Sequence, residues 1–138
     1  MQTHLVFVYG TLRQGFSNHG LMHGARFLGA ARTKESFALY CETIPYVCTK
    51  TRVSPIIGEV YEVDSALLAA LDRLEEHPRW YERRPARILL NDSGQEMTAW
   101  CYFNDHPRGV LVPCGDFADA ARASDRDVAR VVAKGAGG

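Results

Sequence analysis

The run His4-Leu5-Val6-Phe7-Val8-Tyr9 is almost wholly β-branched and aromatic, and Gly10 follows it, which predicts a first strand closed by a sharp turn. Shorter runs of the same character predict strands over 26–33, 36–41, 57–63, 84–90 and 96–103. Between the last two stands Asn91-Asp92-Ser93-Gly94, turn chemistry that pairs them as an antiparallel hairpin. One segment has helical spacing instead. Leu67, Leu68, Leu71 and Leu74 recur on one face of a helix predicted over Ser65–Glu76, with Asp64 as its N-cap. His77-Pro78 stops it, because a residue before proline is pushed out of the helical region. Residues 11–24 hold three glycines among polar residues and predict a loop, with a short helical turn near Asn18–His23.

After Asp116 the texture changes. Phe117, Ala120, Ala121, Val128, Val131 and Val132 predict one or two weak helices, and the glycine-rich end from Lys134 predicts fraying. The pattern is that of an α+β protein: a small, mixed, barrel-like sheet of short strands with one main helix. Its 138 residues make one domain, 1–138, with a core over about 4–116 and a tail over 117–138 that is weakly helical or disordered.

Composition narrows the function. Hydrophobic residues at 46% and charged residues at 23% belong to an ordinary globular chain. Sixteen Lys and Arg balance sixteen Asp and Glu, which argues against a nucleic-acid partner, since that affinity comes from an excess of cations. The longest apolar run, Ala66–Leu71, is far short of the roughly 20 residues of a membrane span. Met1-Gln2-Thr3-His4 carries no basic leader, so the expectation is a soluble, cytoplasmic protein that acts on a small molecule.

Neither metal nor cofactor is expected. No two of Cys41, Cys48, Cys101 and Cys114 form C-x-x-C, and Cys41 and Cys101 sit in apolar runs where a thiol behaves as a small hydrophobe. His19 and His23 share a helical spacing but lack the H-E-x-x-H pattern and a third ligand.

Three features carry candidate chemistry. Tyr9-Gly10-Thr11-Leu12-Arg13 directly follows the first strand, where a glycine turn leaves backbone N–H groups free to hold a carboxylate or oxyanion. A plain strand end reads the same way from spacing alone. Glu75 lies about 20° from Leu68 and about 40° from Leu71 around the helix axis, so it extends the apolar stripe. Desolvation there raises a carboxyl toward the neutral range useful for proton transfer. The other reading is an exposed helix end where Glu75 pairs with Arg79 or Arg83. Glu76 follows Asp72 onto the wet face. Tyr81 and Arg83 share a face of an extended segment, so a phenol and a guanidinium reach toward the end of the Glu75 helix, although ion pairing is the commoner use of such an arginine. Phosphate-loop glycine patterns and the G-x-S-x-G elbow are absent.

Val8-Tyr9-Gly10-Thr11-Leu12-Arg13, Gly15-x-x-Asn18, Phe27-Leu28-Gly29, Gly58-x-Val60-Tyr61, Leu71-Asp72-x-x-Glu75 and Tyr81-x-Arg83 together resemble the γ-glutamylcyclotransferase-like (AIG2-like) family. The Y-G-T-L form is closest to its γ-glutamylamine cyclotransferase branch. The resemblance spans about residues 5–116. It implies a small mixed barrel, with Glu75 as catalytic acid and base and Tyr9, Gly10, Thr11 and Leu12 as the substrate-binding loop. Arg13, Asn18, Tyr81 and Arg83 take supporting places. The implied reaction is cyclisation of a γ-glutamyl substrate to 5-oxoproline with release of an amine, needing no metal. A non-catalytic metabolite-binding relative and an amide hydrolase in the same cavity are the alternative readings. Glu76 stands where family members often carry glycine, and the segment after Asp116 matches no part of the pattern.

Overall fold

The computed structural model describes residues 2–121. Eight strands and one α-helix follow in the order β1 (Thr3–Val8), β2 (Arg26–Thr33), β3 (Ala38–Cys41), β4 (Pro45–Cys48), β5 (Ile57–Asp64), α1 (Ser65–Leu74), β6 (Glu82–Leu90), β7 (Glu96–Phe103) and β8 (Val110–Leu111). A single 3-10 turn, His19–Met22, lies between β1 and β2, where the sequence predicts one. Strands β1-β5-β2-β6-β7 close into a barrel, and β4-β3-β8 form a separate three-stranded sheet. The barrel is antiparallel except at its seam, where β1 runs parallel to β7 with Val6 opposite Trp100.

Strand β1 lacks polar alternation because both of its faces are buried. Leu5, Phe7 and Tyr9 point to the barrel interior, with Val60, Ile88, Cys101 and Phe103. Val6 and Val8 point outward, beneath α1, with Tyr61, Val63, Leu68 and Leu71. Strand β7 divides the same way, Ala99, Cys101 and Phe103 inward and Trp100 and Tyr102 outward. A period of two thus serves two cores. Each fully buried Leu or Val stabilises the fold by roughly 1.5–3 kcal/mol. Cys101 belongs to the interior as a core thiol, its pKa pushed up by burial.

The β6–β7 hairpin turns at the expected residues, with Gly94 at φ 72° donating its N–H to the Leu90 carbonyl at 2.8 Å. Asp64 caps α1 as expected, its Oδ1 accepting the Leu67 N–H at 2.7 Å. The helix ends earlier than the proline rule predicts. It stops at Leu74 with Glu75 as C-cap, because Glu76 turns left-handed at φ 53°. The Glu76 N–H then bonds the Arg73 carbonyl at 3.2 Å and the His77 N–H bonds that of Asp72 at 2.9 Å, satisfying the last turn.

Two strands had no sequence signal. Strand β4 opens on a proline, and β8 is two residues long. Strand β3 begins at Ala38 rather than at residue 36, and β6 begins two residues before the predicted 84. The packing also continues past Asp116. Residues 117–121 are helical, and the buried Phe117 ring lies 5.2 Å from that of Phe16. The predicted helix positions Val128, Val131 and Val132, and the end from Lys134, lie outside the described residues. No helix among the described residues is long and apolar enough to cross a membrane.

Candidate active site

A cavity of about 220 Å³ opens where β1 runs out of the barrel. Tyr9, Gly10, Thr11 and Leu12 form one side of it, with Asn18 beside them; Glu75 and Tyr81 form the other.

The loop side is shaped by backbone. The Arg13 N–H bonds the Gly10 carbonyl at 3.1 Å, folding residues 10–13 into a turn. The Asn18 N–H bonds the Thr11 carbonyl at 2.9 Å and its Nδ2 donates to Thr11 Oγ1 at 2.8 Å, while His19 Nδ1 donates to the Leu12 carbonyl at 3.0 Å. Among the described residues, no acceptor meets the N–H groups of Gly10, Thr11 or Leu12. The loop's carbonyls are occupied and its donors are left for a ligand. Gly10 is required by close approach: a Cβ there would lie 2.7 Å from Cγ of Pro45 on β4.

Opposite stands Glu75. Burial pushes its carboxyl up to about 7, and no donor among the described residues bonds it. The nearby phenols are turned elsewhere. Tyr9 OH donates to the Tyr102 carbonyl at 2.7 Å, and Tyr81 OH donates to the Pro45 carbonyl. Both hydroxyls are held well above their ordinary pKa, first by burial and then by neighbouring groups that include Glu75. The segment after α1 folds back through Trp80 N–H to the Glu76 carbonyl at 2.9 Å and Tyr81 N–H to that of Glu75 at 3.2 Å. This return sets the Trp80 and Tyr81 rings on the cavity wall.

Two predicted residues lie elsewhere. Arg83 does not reach Glu75; its Nε and Nη2 grip the Asp72 carboxylate at 2.8 and 3.2 Å, and its guanidinium lies 4.2 Å from the Trp100 ring centroid. Asp72 is therefore not on a wet face, as helical phasing alone predicts. It is half-buried and also accepts the Tyr102 hydroxyl at 2.7 Å, because β6 and β7 pass beside that flank of α1. Arg13 points away from the cavity and pairs with Asp116 at 2.8 Å. Neither Arg79 nor Arg83 pairs with Glu75. Sequence reasoning missed Pro45, Trp80 and Tyr102, which come from β4, the α1–β6 connection and β7. Only Trp80, adjacent to Tyr81, carried a local signal. Among the described residues no three His, Cys, Asp or Glu side chains gather as a metal would require.

An unpaired carboxyl poised near neutrality, facing a row of free backbone donors, is equipped to move protons beside a developing anion. The sequence pattern of the family described as gamma-glutamyl cyclotransferase, AIG2-like, matches residues 6–119, and the chain belongs to that family of enzymes. It is 48% identical over 115 residues to a Methanocaldococcus jannaschii protein whose name assigns gamma-glutamylcyclotransferase activity only provisionally, covering 83% of this chain and 95% of that one. It is 38% identical over 112 residues to the gamma-glutamylaminecyclotransferase of Mus musculus, covering 70% and 75%. The crystal structure of an AIG2-like protein from Mus musculus superposes with a TM-score of 0.70 at 30% identity, covering 78% of this chain and 81% of that one.

Proposed function

We propose that this chain is a γ-glutamylamine cyclotransferase: the α-amine of a γ-glutamylamine attacks its own γ-carbonyl, closing 5-oxoproline and releasing the free amine. The observation that carries this reading is the Glu75 carboxyl, unpaired among the described residues and pushed up to about 7, across a small cavity from the free N–H groups of Gly10–Leu12. The relatives named as γ-glutamylamine cyclotransferases support the same reading.

The substrate brings its own nucleophile. Holding the chain folded for intramolecular attack is worth roughly 7–11 kcal/mol, so the protein has only protons and charge to manage. Glu75 as carboxylate takes a proton from the α-ammonium, and the freed amine adds to the γ-carbonyl. The oxyanion and the α-carboxylate fall to the N–H groups of the loop. As the tetrahedral centre collapses, the nitrogen entering the ring gives up its second proton and the departing nitrogen gains two, with Glu75 the shuttle for both transfers. The small-molecule γ-glutamyl substrate is the only partner this mechanism requires.

The test is product analysis by mass spectrometry after incubation with a panel of γ-glutamylamines. 5-Oxoproline with equimolar amine is the expected result. Free glutamate would replace this reading with amide hydrolysis, and no product would leave a binding protein.

A further inference from the structure

The phenols of Tyr9 on β1, Tyr81 in the α1–β6 connection and Tyr102 on β7 all stand close enough to Glu75 to feel its charge, as does the buried Cys101 thiol on β7. Glu76 lines the same opening with its side chain exposed. A phenol that donates to a carboxylate stabilises the charged form and makes it a weaker base. None of the three does so here. Tyr9 and Tyr81 give their protons to main-chain carbonyls, those of Tyr102 and Pro45. Tyr102 differs from both, because its acceptor is a side chain, Oδ1 of Asp72 at 2.7 Å. Of the three acceptors, Asp72 is therefore the one that a substitution can remove.

Asp72 lies three residues before Glu75, and residues three apart are neighbours on a helix surface, with about 5–6 Å between Cβ atoms. The Tyr102 hydroxyl thus rests less than one helical turn from the Glu75 carboxyl, and Tyr102 lines the same cavity. Arg83 fixes the acceptor in place. Its Nε and Nη2 hold the two Asp72 carboxylate oxygens at 2.8 and 3.2 Å, and its guanidinium lies 4.2 Å from the Trp100 ring centroid.

We propose that Asp72 is a positioning residue: with Arg83 behind it, it holds the Tyr102 hydroxyl away from Glu75 and keeps the proton carrier free of donors. This rests on the reading of Glu75 above and deepens it by naming what protects its basicity. Burial pushes the Glu75 carboxyl up to about 7. A phenol bonded to its charged form would offset that burial and leave a carboxylate less able to take a proton from an α-ammonium. Asp72 diverts that donor from the neighbouring position on the same helix.

The experiment titrates Glu75 directly, through the carbon-13 shift of its carboxyl carbon, assigned by its loss in Glu75→Gln. The acid limb of kcat/KM for 5-oxoproline formation is followed in parallel. In Asp72→Ala the freed phenol turns to Glu75, so the midpoint should fall by about one pH unit and the acid limb with it. The same variant leaves the Arg83 charge uncompensated, but that effect persists in Asp72→Ala/Tyr102→Phe. The midpoint of the double variant should return toward the wild-type value, and the difference between the two is the phenol's part. Asp72→Asn keeps a carbonyl oxygen for the phenol and should stay closer to wild type than Asp72→Ala. Tyr102→Phe alone should leave the midpoint in place, because its hydroxyl does not touch Glu75. A merely structural ion pair would lower stability without moving the midpoint through Tyr102. An unmoved midpoint in Asp72→Ala, or an equal fall in the single and double variants, would overturn the inference. So would a midpoint that rises in Tyr102→Phe, a variant that keeps the packing and decides the matter even if Asp72→Ala does not fold. A wild type that makes no 5-oxoproline while the midpoints move as stated would overturn cyclotransfer and leave the hold of Asp72 on Tyr102 standing.

Discussion

Arg13 and Asp116 stand 103 positions apart in the chain and form a largely buried ion pair at 2.8 Å. The pair ties the end of the Gly10–Leu12 loop to the segment that begins the last described helical turn, where Asp116 Oδ1 also accepts the Ala118 N–H at 2.9 Å. Phe16 and Phe117 pack beside it. The loop that faces Glu75 is thus braced from the C-terminal side of the chain. Asp116→Asn keeps the shape and removes the charge. It should raise KM several-fold with little change in kcat, and lower stability by about 1 kcal/mol. Steady-state kinetics and thermal melting read both. A fall in kcat with unchanged KM would mean that the brace acts on chemistry rather than on binding.

The carboxyl of Glu75 makes an opposite pair of claims about activity and stability. As a base it must be ionised, so kcat/KM should rise about tenfold per pH unit on the acid side and level off above about 7. Stability runs the other way. The folded value is raised above 4.5, so between about 4.5 and 7 the folded chain keeps a proton that the unfolded chain has lost. The fold therefore loses stability as pH climbs through that window. Glu75→Gln should abolish nearly all turnover and yet stabilise the protein at pH 8 by about 1–3 kcal/mol, with no gain at pH 4. Denaturant melts at the two pH values decide it.

Gly10 and Pro45 touch so closely that any side chain at position 10 displaces the β4 end of the cavity wall. Gly10→Val is expected to weaken binding of 5-oxoproline at least tenfold while global stability falls by only about 1–2 kcal/mol. Calorimetric titration of the product gives the answer, and unchanged affinity would reduce Gly10 to a strand end.

Substrate chemistry provides a prediction independent of mutation. In the proposed cyclisation the nucleophile is the free α-amine, so an N-acetylated γ-glutamylamine should release no amine, although it can still compete for the cavity. Amine release from the blocked compound at a rate near that of the free one would point to hydrolysis through Glu75 and water.

How much of this was legible in the sequence depended on whether a neighbour was local. Strand β1 announced itself as an unbroken β-branched and aromatic run, and helix α1 by the angular spacing of its leucines. Glu75 was readable for the same reason: its place is a matter of angle around one helix. Asp72 was misplaced by that same arithmetic, because a helix wheel knows nothing of Tyr102 and Arg83, brought to its flank by β6 and β7. Arg83 takes the commoner use of such an arginine, a structural ion pair, and makes it with Asp72 instead of reaching Glu75. Pro45 and Tyr102 left no trace, since one enters the cavity from β4 of the three-stranded sheet and the other from β7 of the barrel, elements whose positions only the tertiary fold determines.

The seam between β1 and β7 has a consequence for biosynthesis. Tyr9 leaves the ribosome early, but the carbonyl that accepts its hydroxyl belongs to Tyr102, 93 positions later, and the barrel stays open until β7 arrives beside β1. Pairings at such separation form slowly, because loop-closure entropy must be met before the contact can contribute. For most of its synthesis the nascent chain therefore carries the Gly10–Leu12 loop as an unshaped segment, with no enclosed cavity beside it. Catalytic competence arrives as one of the last events of folding, and a chain cut short before β7 should be inert rather than partly active.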